Sequence, residues 1–145
     1  MKRIFVLLFL CLFIFSSCAE KRDHVALLSE FASAYGMEGV IYSADAEPHE
    51  EGYISPELAA LIFGGELMPD GFAVLLNSRV DAPSECGAFI ITDSRAHALE
   101  ICRRRLDVLD PTGENSFIAI YGELIFYCVV SDIERARRIA DIVFK

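Results

Sequence analysis

Apolar residues form one long unbroken block near the start of this chain and afterwards recur at spaced intervals or in short runs. Lys2 and Arg3 precede the run Ile4 to Phe15, which ends in Ser16-Ser17-Cys18. A basic start, a short apolar core and small residues form the pattern of an export signal, and the run is short for a bilayer span, which needs about 20 residues. Beyond a polar stretch to His24, Val25, Leu28, Phe31 and Ala32 recur on one side of a helix from Val25 to about Tyr35, stopped by Gly36. Val40 to Tyr42 reads as a short strand and Ser43 to Gly52 as a loop. Ser55-Pro56-Glu57 is a helix start, because serine caps free amides and proline is tolerated at the first helical position; Gly64-Gly65 is its stop.

The pattern then takes the order strand, strand, helix twice. Phe72 to Asn77 and Ala88 to Thr92 are rich in β-formers, with Asp81, Pro83 and Gly87 in the turn between them. Asp93 or Ser94 caps a helix to about Leu109 with the stripe Leu99, Cys102, Leu106 and Leu109. Phe117 to Ile120 and Leu124 to Val130 form a second hairpin around Gly122. Ser131 and Glu134 make a capping-box pattern before a helix on which Ile133, Ala136, Ile139, Ala140, Val143 and Phe144 face one way. Hairpins in place of βαβ crossovers predict an α+β fold: an antiparallel sheet built from two strand-strand-helix units, helices on one face, preceded by short N-terminal helices. Leu124 to Val130 is apolar at nearly every position, so both sheet faces are covered there, and the first half of the chain is the expected cover.

Ser16-Ser17-Cys18 resembles the lipobox of bacterial lipoproteins, with Phe15 where leucine is usual. The resemblance implies lipidation of Cys18, which becomes the first residue of the mature protein. The expected organisation is a signal peptide over 1–17, a lipid-anchored spacer over 18–24 and one domain over 25–145, on the outer side of the cell membrane. An uncleaved signal anchor is the alternative and places the domain on the same side. Removing residues 1–17 takes away Lys2 and Arg3 and no acid, so the formal charge moves from -9 to -11. That balance argues against nucleic acid, whose phosphates demand a basic face.

From Gly71 to Val143 the chain resembles the uncharacterised lipoprotein domain catalogued as domain of unknown function 4358, common in clostridial-type Firmicutes. The residues that carry the likeness are Phe72-Ala73-Val74-Leu75-Leu76-Asn77-Ser78, Glu85-Cys86-Gly87-Ala88-Phe89, the helix end Arg103-Arg104-Arg105-Leu106, and the closing hairpin and helix. The resemblance implies location and fold and assigns no chemistry.

Candidate chemistry is sparse. Cys86, Cys102 and Cys128 remain besides Cys18 in the mature chain; Cys102 and Cys128 read as small buried hydrophobes, and a Cys86–Cys128 bridge is open in an exported protein. The loop residues Asp45, Glu47, His49, Glu50 and Glu51 are a weak candidate for a cation, with a solvated acidic loop as the ordinary reading. Arg103, Arg104 and Arg105 on one helix and Arg135, Arg137 and Arg138 on the other form a binding patch if the two helices pack side by side, suited to an envelope protein or an anionic polymer. No Walker loop, dinucleotide fingerprint, HExxH or serine elbow is present, so no catalytic residue is assigned and no cofactor is expected. The leading expectation is a lipid-anchored binding or accessory module. Its alternative is a small hydrolase using carboxylates of the acidic N-terminal half, where Ala19 to Asp70 holds eleven acids against Lys21 and Arg22. Homodimerisation through a sheet edge or the apolar face of Leu124 to Val130 is a third possibility.

Overall fold

In a computed structural model, residues 23–64, 71–77, 84–90 and 94–145 are described. The signal segment, Cys18 and Asp93 lie outside them. The chain runs α1 (His24–Tyr35), β1 (Val40–Ser43), α2 (Pro56–Phe63), β2 (Phe72–Leu76), β3 (Glu85–Ile90), α3 (Arg95–Leu109), β4 (Ser116–Tyr121), β5 (Leu124–Val129) and α4 (Ile133–Val143). The strands form one antiparallel sheet in the order β1-β2-β3-β5-β4. This is the α+β fold that the pattern predicts.

Local chemistry sets the helix ends. Asp23 caps α1 by accepting from the amides of Val25 and Ala26, so the helix begins one residue earlier than the apolar period suggests and His24 is buried in its first turn. Ser55 accepts from the Leu58 amide and Ser94 from that of His97, while Gly36 and Gly64 close α1 and α2 at positive φ. In α4 the cap is Asp132, which accepts from Arg135 N at 3.0 Å, and not Ser131. The Tyr35 hydroxyl accepts from the Asp132 amide and ties that turn to the end of α1.

The arrangement of the helices differs from the expected single layer. Alternate residues of β5 point to opposite faces, and all six are buried. Leu124, Phe126 and Cys128 pack with α1 and α4 around Phe31, Ala136, Ala140 and Phe144. Ile125, Tyr127 and Val129 pack with α2 and α3 around Ala59, Phe63, Ile101, Cys102 and Leu106. Each face is thus covered by one helix from the first half and one from the repeat. The physical reason is that β3 and β5 are apolar on both faces, and a single helical layer would leave one face in water. The same cover closes the Leu124 to Val130 face to a second copy.

The first face is an aromatic cluster: the Phe126 ring centroid lies 4.7 Å from those of Phe31, which meets it edge-on, and Phe144, which is tilted against it. On the second face, Phe89 stands 5.4 Å from Phe63 and 5.8 Å from Tyr127. That face also contains charge. Glu85, only 5% exposed, receives Arg105 through two parallel bonds, Nε to Oε1 at 2.8 Å and Nη2 to Oε2 at 2.6 Å. The Tyr127 hydroxyl donates to Glu85 Oε1 at 2.5 Å, and Arg105 Nη1 reaches the Ile62 carbonyl at 3.4 Å. β3 therefore begins at Glu85, three residues before the expected Ala88. Gly87 is a strand residue and not part of a turn: it stands opposite Tyr127, whose ring occupies the space a Cβ would need.

Candidate functional site

In an antiparallel sheet, alternate strands start and finish at the same end. At the end where β2 and β5 finish and β1, β3 and β4 begin, the connecting residues surround a groove of about 530 Å³. Tyr35, Gly36, Met37 and Glu38 follow α1; Asn77 and Ser84 flank the β2–β3 connection; Leu109, Asp110 and Asn115 lie between α3 and β4; Val129, Val130 and Ser131 close β5. Side chains from both helical layers therefore meet at this mouth.

Two of its walls are fixed by hydrogen bonds. Asn77 Nδ2 donates to Ser84 Oγ at 2.8 Å and holds the β2–β3 ends together. Asp110 ends α3, where its amide donates to the Leu106 carbonyl, and its carboxylate accepts from Thr112 Oγ1 at 3.0 Å and from the Asn115 amide at 2.8 Å. Burial alone would raise the Asp110 pKa, but hydrogen bonds from Ser116, Asn115 and Thr112 outweigh it and hold the group below the usual carboxylate value. Asp110 is thus a structural anion occupied by its own turn. The lining contains hydroxyls, amides, the exposed carboxylate of Glu38 and apolar walls from Met37, Leu109, Val129 and Val130, with no lysine, arginine or histidine. Such a surface offers hydrogen bonds to a neutral or cationic ligand and resists an anionic one.

The residues singled out from the sequence lie elsewhere. α3 and α4 cover opposite faces, so the six arginines do not share one side-by-side surface. Arg105 is consumed by Glu85, and Arg104 pairs with Glu100 at 3.4 Å one helical turn back. Arg135 lies over the Tyr35 ring at 5.0 Å and donates to the Ala34 carbonyl, while Arg137 lies over Phe117 at 4.4 Å. Arg103 and Arg138 are exposed on their separate helices. The correction has the same origin as that of the fold: both faces needed cover, and the repeat supplied one helix to each.

The acidic loop folds on itself. Glu50 Oε2 accepts from the Glu47 amide at 3.2 Å, Ser43 Oγ accepts from that of Asp45, and His49 takes φ +80° in the turn. Asp45 instead faces His24, with Oδ2 3.5 Å from Nε2. Among the described residues no three His, Cys, Asp or Glu side chains come together as a metal site, so Asp45, Glu47, His49, Glu50 and Glu51 do not converge. The thiols of Cys86, Cys102 and Cys128 are buried and free; burial pushes Cys102 up to about 12 and raises the other two as well.

What sequence reasoning missed is the groove and the Glu85–Arg105–Tyr127 network. The groove residues are polar positions immediately outside predicted strand ends, and only the strand order shows that those ends coincide. For the network, the available signal was Gly87 within a β-forming stretch, which marks a close approach. Comparison of the chain with protein-family models, with curated proteins and with solved structures finds no match in any of the three.

Proposed function

We propose that this protein is a lipid-anchored binding module on the outer side of the cell membrane, and that the groove at the strand ends is its ligand site. The observation that carries the reading is the direction of α1. Its 12 residues span about 18 Å, with Tyr35 on the groove and Asp23 at the far end. Asp23 is five residues from Cys18, a reach of at most about 18 Å. A chain tethered at Cys18 is held by the end of the sheet remote from the groove, so the mouth is presented away from the bilayer. β1 runs in the opposite sense to α1 and delivers Asp45 beside His24, which places the acidic loop at the tether end.

The acidity of that loop fits the same arrangement, since carboxylates near an anionic leaflet keep the domain from lying down on it. Occupants of the groove are expected to be neutral or cationic, because the charged groups of the lining, Glu38 and Asp110, are both carboxylates. This replaces the anionic polymer suggested by the arginines.

Two measurements test the reading. Intact mass of the membrane-bound protein is expected to give a chain beginning at an acylated Cys18, and Cys18→Ser to leave an unacylated chain that still carries residues 1–17; an unacylated wild-type chain with residues 1–17 attached favours an uncleaved anchor. A photo-crosslinking residue at Asn115, exposed at the groove, captures a cell-surface component that the same residue at Glu51 in the acidic loop does not. Capture from Glu51 alone, or from neither position, overturns the groove as the ligand site.

A further inference from the structure

Cys86 and Cys128 face each other directly across β3 and β5. The closeness of such a pair depends on whether its backbone groups bond each other or point away. Ile90 N donates to the Gly71 carbonyl at 2.9 Å, so Ile90, Ala88 and Cys86 turn their backbone groups toward β2. Val130 N donates to the Asn115 carbonyl at 2.9 Å, so Val130, Cys128 and Phe126 turn theirs toward β4. Both hydrogen bonds lead to the same result. Cys86 and Cys128 occupy a non-hydrogen-bonded position of the β3–β5 ladder, where facing Cα atoms are about 4.5 Å apart and side chains are closest. That separation is at the short end of the range a disulfide spans, about 4.4 to 6.8 Å. Both side chains point into the aromatic core under α1 and α4, whereas Cys102 packs on the opposite face.

We infer that Cys86 and Cys128 form a disulfide joining the two central strands when the chain folds in an oxidising compartment, and that Cys102 stays a thiol. In the exchange, a Cys86 or Cys128 thiolate attacks a low-molecular-weight or protein disulfide and releases one of its sulfurs as a thiol. The second cysteine then attacks the mixed disulfide and releases the other. Two protein thiols are oxidised to one disulfide, the external disulfide is reduced to two thiols, and the two thiol protons pass to the released sulfurs. In the folded protein both sulfurs are fully covered, and burial raises both thiols so that no thiolate is on offer near neutral pH. The bridge therefore forms while β3 and β5 are pairing, and it resists reductants once α1 and α4 have closed over it. It links two residues 42 positions apart in sequence and ties the Glu85 end of β3 to the groove end of β5. The inference draws on the extracytoplasmic reading only for the compartment.

The test refolds the full chain from denaturant in a mixture of reduced and oxidised glutathione, alkylates free thiols under denaturing conditions, and maps the cysteines by peptide mass. The expected result is a peptide pair joined through Cys86 and Cys128, with Cys102 alkylated. In Cys86→Ser, Cys128 then appears alkylated and no joined pair forms. Alkylation of both Cys86 and Cys128 in the refolded wild-type chain, or linkage of either to Cys102, overturns the inference. The same mapping on protein trapped in cells separates the two readings: free thiols there, beside a bridge after glutathione refolding, count against the compartment and leave the pairing standing.

Discussion

The two faces of the sheet solve the same problem with different chemistry. Under α1 and α4 the core is made of aromatic rings, small alanines and two thiols, with Phe126 between Phe31 and Phe144. Under α2 and α3 the aromatic core continues, but Glu85, Arg105 and Tyr127 sit at its groove end as a charged, hydrogen-bonded group. The core of the first face is held by the fit of apolar side chains around the facing Cys86 and Cys128, and its polar ties, such as that of Tyr35 to Asp132, lie at the surface. On the second, one side chain anchors three elements, since Arg105 of α3 reaches Glu85 of β3 and the Ile62 carbonyl of α2. A buried ion pair of this kind gives little net stability over apolar residues of the same size, but losing one partner is expensive because a bare charge remains. The difference between the faces is therefore one of vulnerability more than of strength.

The largest expected effect follows from that asymmetry. Arg105→Ala leaves Glu85 uncompensated at 5% exposure and is expected to cost about 3–5 kcal/mol in urea unfolding. Tyr127 shares the strain, because burial and the Glu85 charge already raise its hydroxyl well above the ordinary tyrosine value. The triple variant Glu85→Leu, Arg105→Met, Tyr127→Phe removes both charges and the buried hydroxyl that Glu85 satisfies, and is expected to recover most of the loss. If the triple variant is as unstable as the single one, the loss comes from packing at this end of the face and not from the uncompensated charge.

A smaller effect is expected within the second face, where the Tyr127 ring lies against β3. At Gly87 an added Cβ would run into the Tyr127 ring, so Gly87→Ala is expected to destabilise by about 1–3 kcal/mol, the usual range for overpacking. Gly87→Ala combined with Tyr127→Leu separates crowding from backbone freedom, since removing the ring recovers the crowding part only. Midpoints of thermal unfolding for the single and double variants supply the comparison.

These residues also show what was legible before the structure. The elements with a clean period were readable: α4 buries Ala136, Ala140 and Phe144 as its stripe requires, and Ser55, Pro56 and Gly64 bound α2 where local chemistry puts them. The start of β3 was hidden because its first residues are a charge, a thiol and a glycine, and each has a strand role only through a partner far away in sequence. Glu85 needs Arg105, Cys86 faces Cys128 and Gly87 makes room for Tyr127. The side on which each repeat helix packs was equally invisible, since Leu124 to Val129 demands cover on both faces and does not specify which helix supplies it. The groove depends on strand order, a property of the whole sheet and of no local segment.

The smallest expected effect concerns Asp110, a second nearly buried carboxylate, which is held by hydroxyl and amide donors instead of a cation. Its pKa is lowered on folding, so the folded state binds this proton less readily than the unfolded chain. The sign of the linkage follows: the contribution is fully present above the ordinary aspartate pKa and is lost as pH falls through the lower folded value. Asp110→Asn keeps the shape and cannot titrate. Its unfolding free energy, measured from pH 6 down to pH 2.5, is expected to fall less steeply than that of the wild type over the acid end of the series, while at pH 6 the variant is the less stable of the two. Parallel curves would mean that Asp110 is held no better in the folded chain than in water. The contrast between a carboxylate secured by Arg105 and one secured by its own turn would then reduce to the ion pair alone.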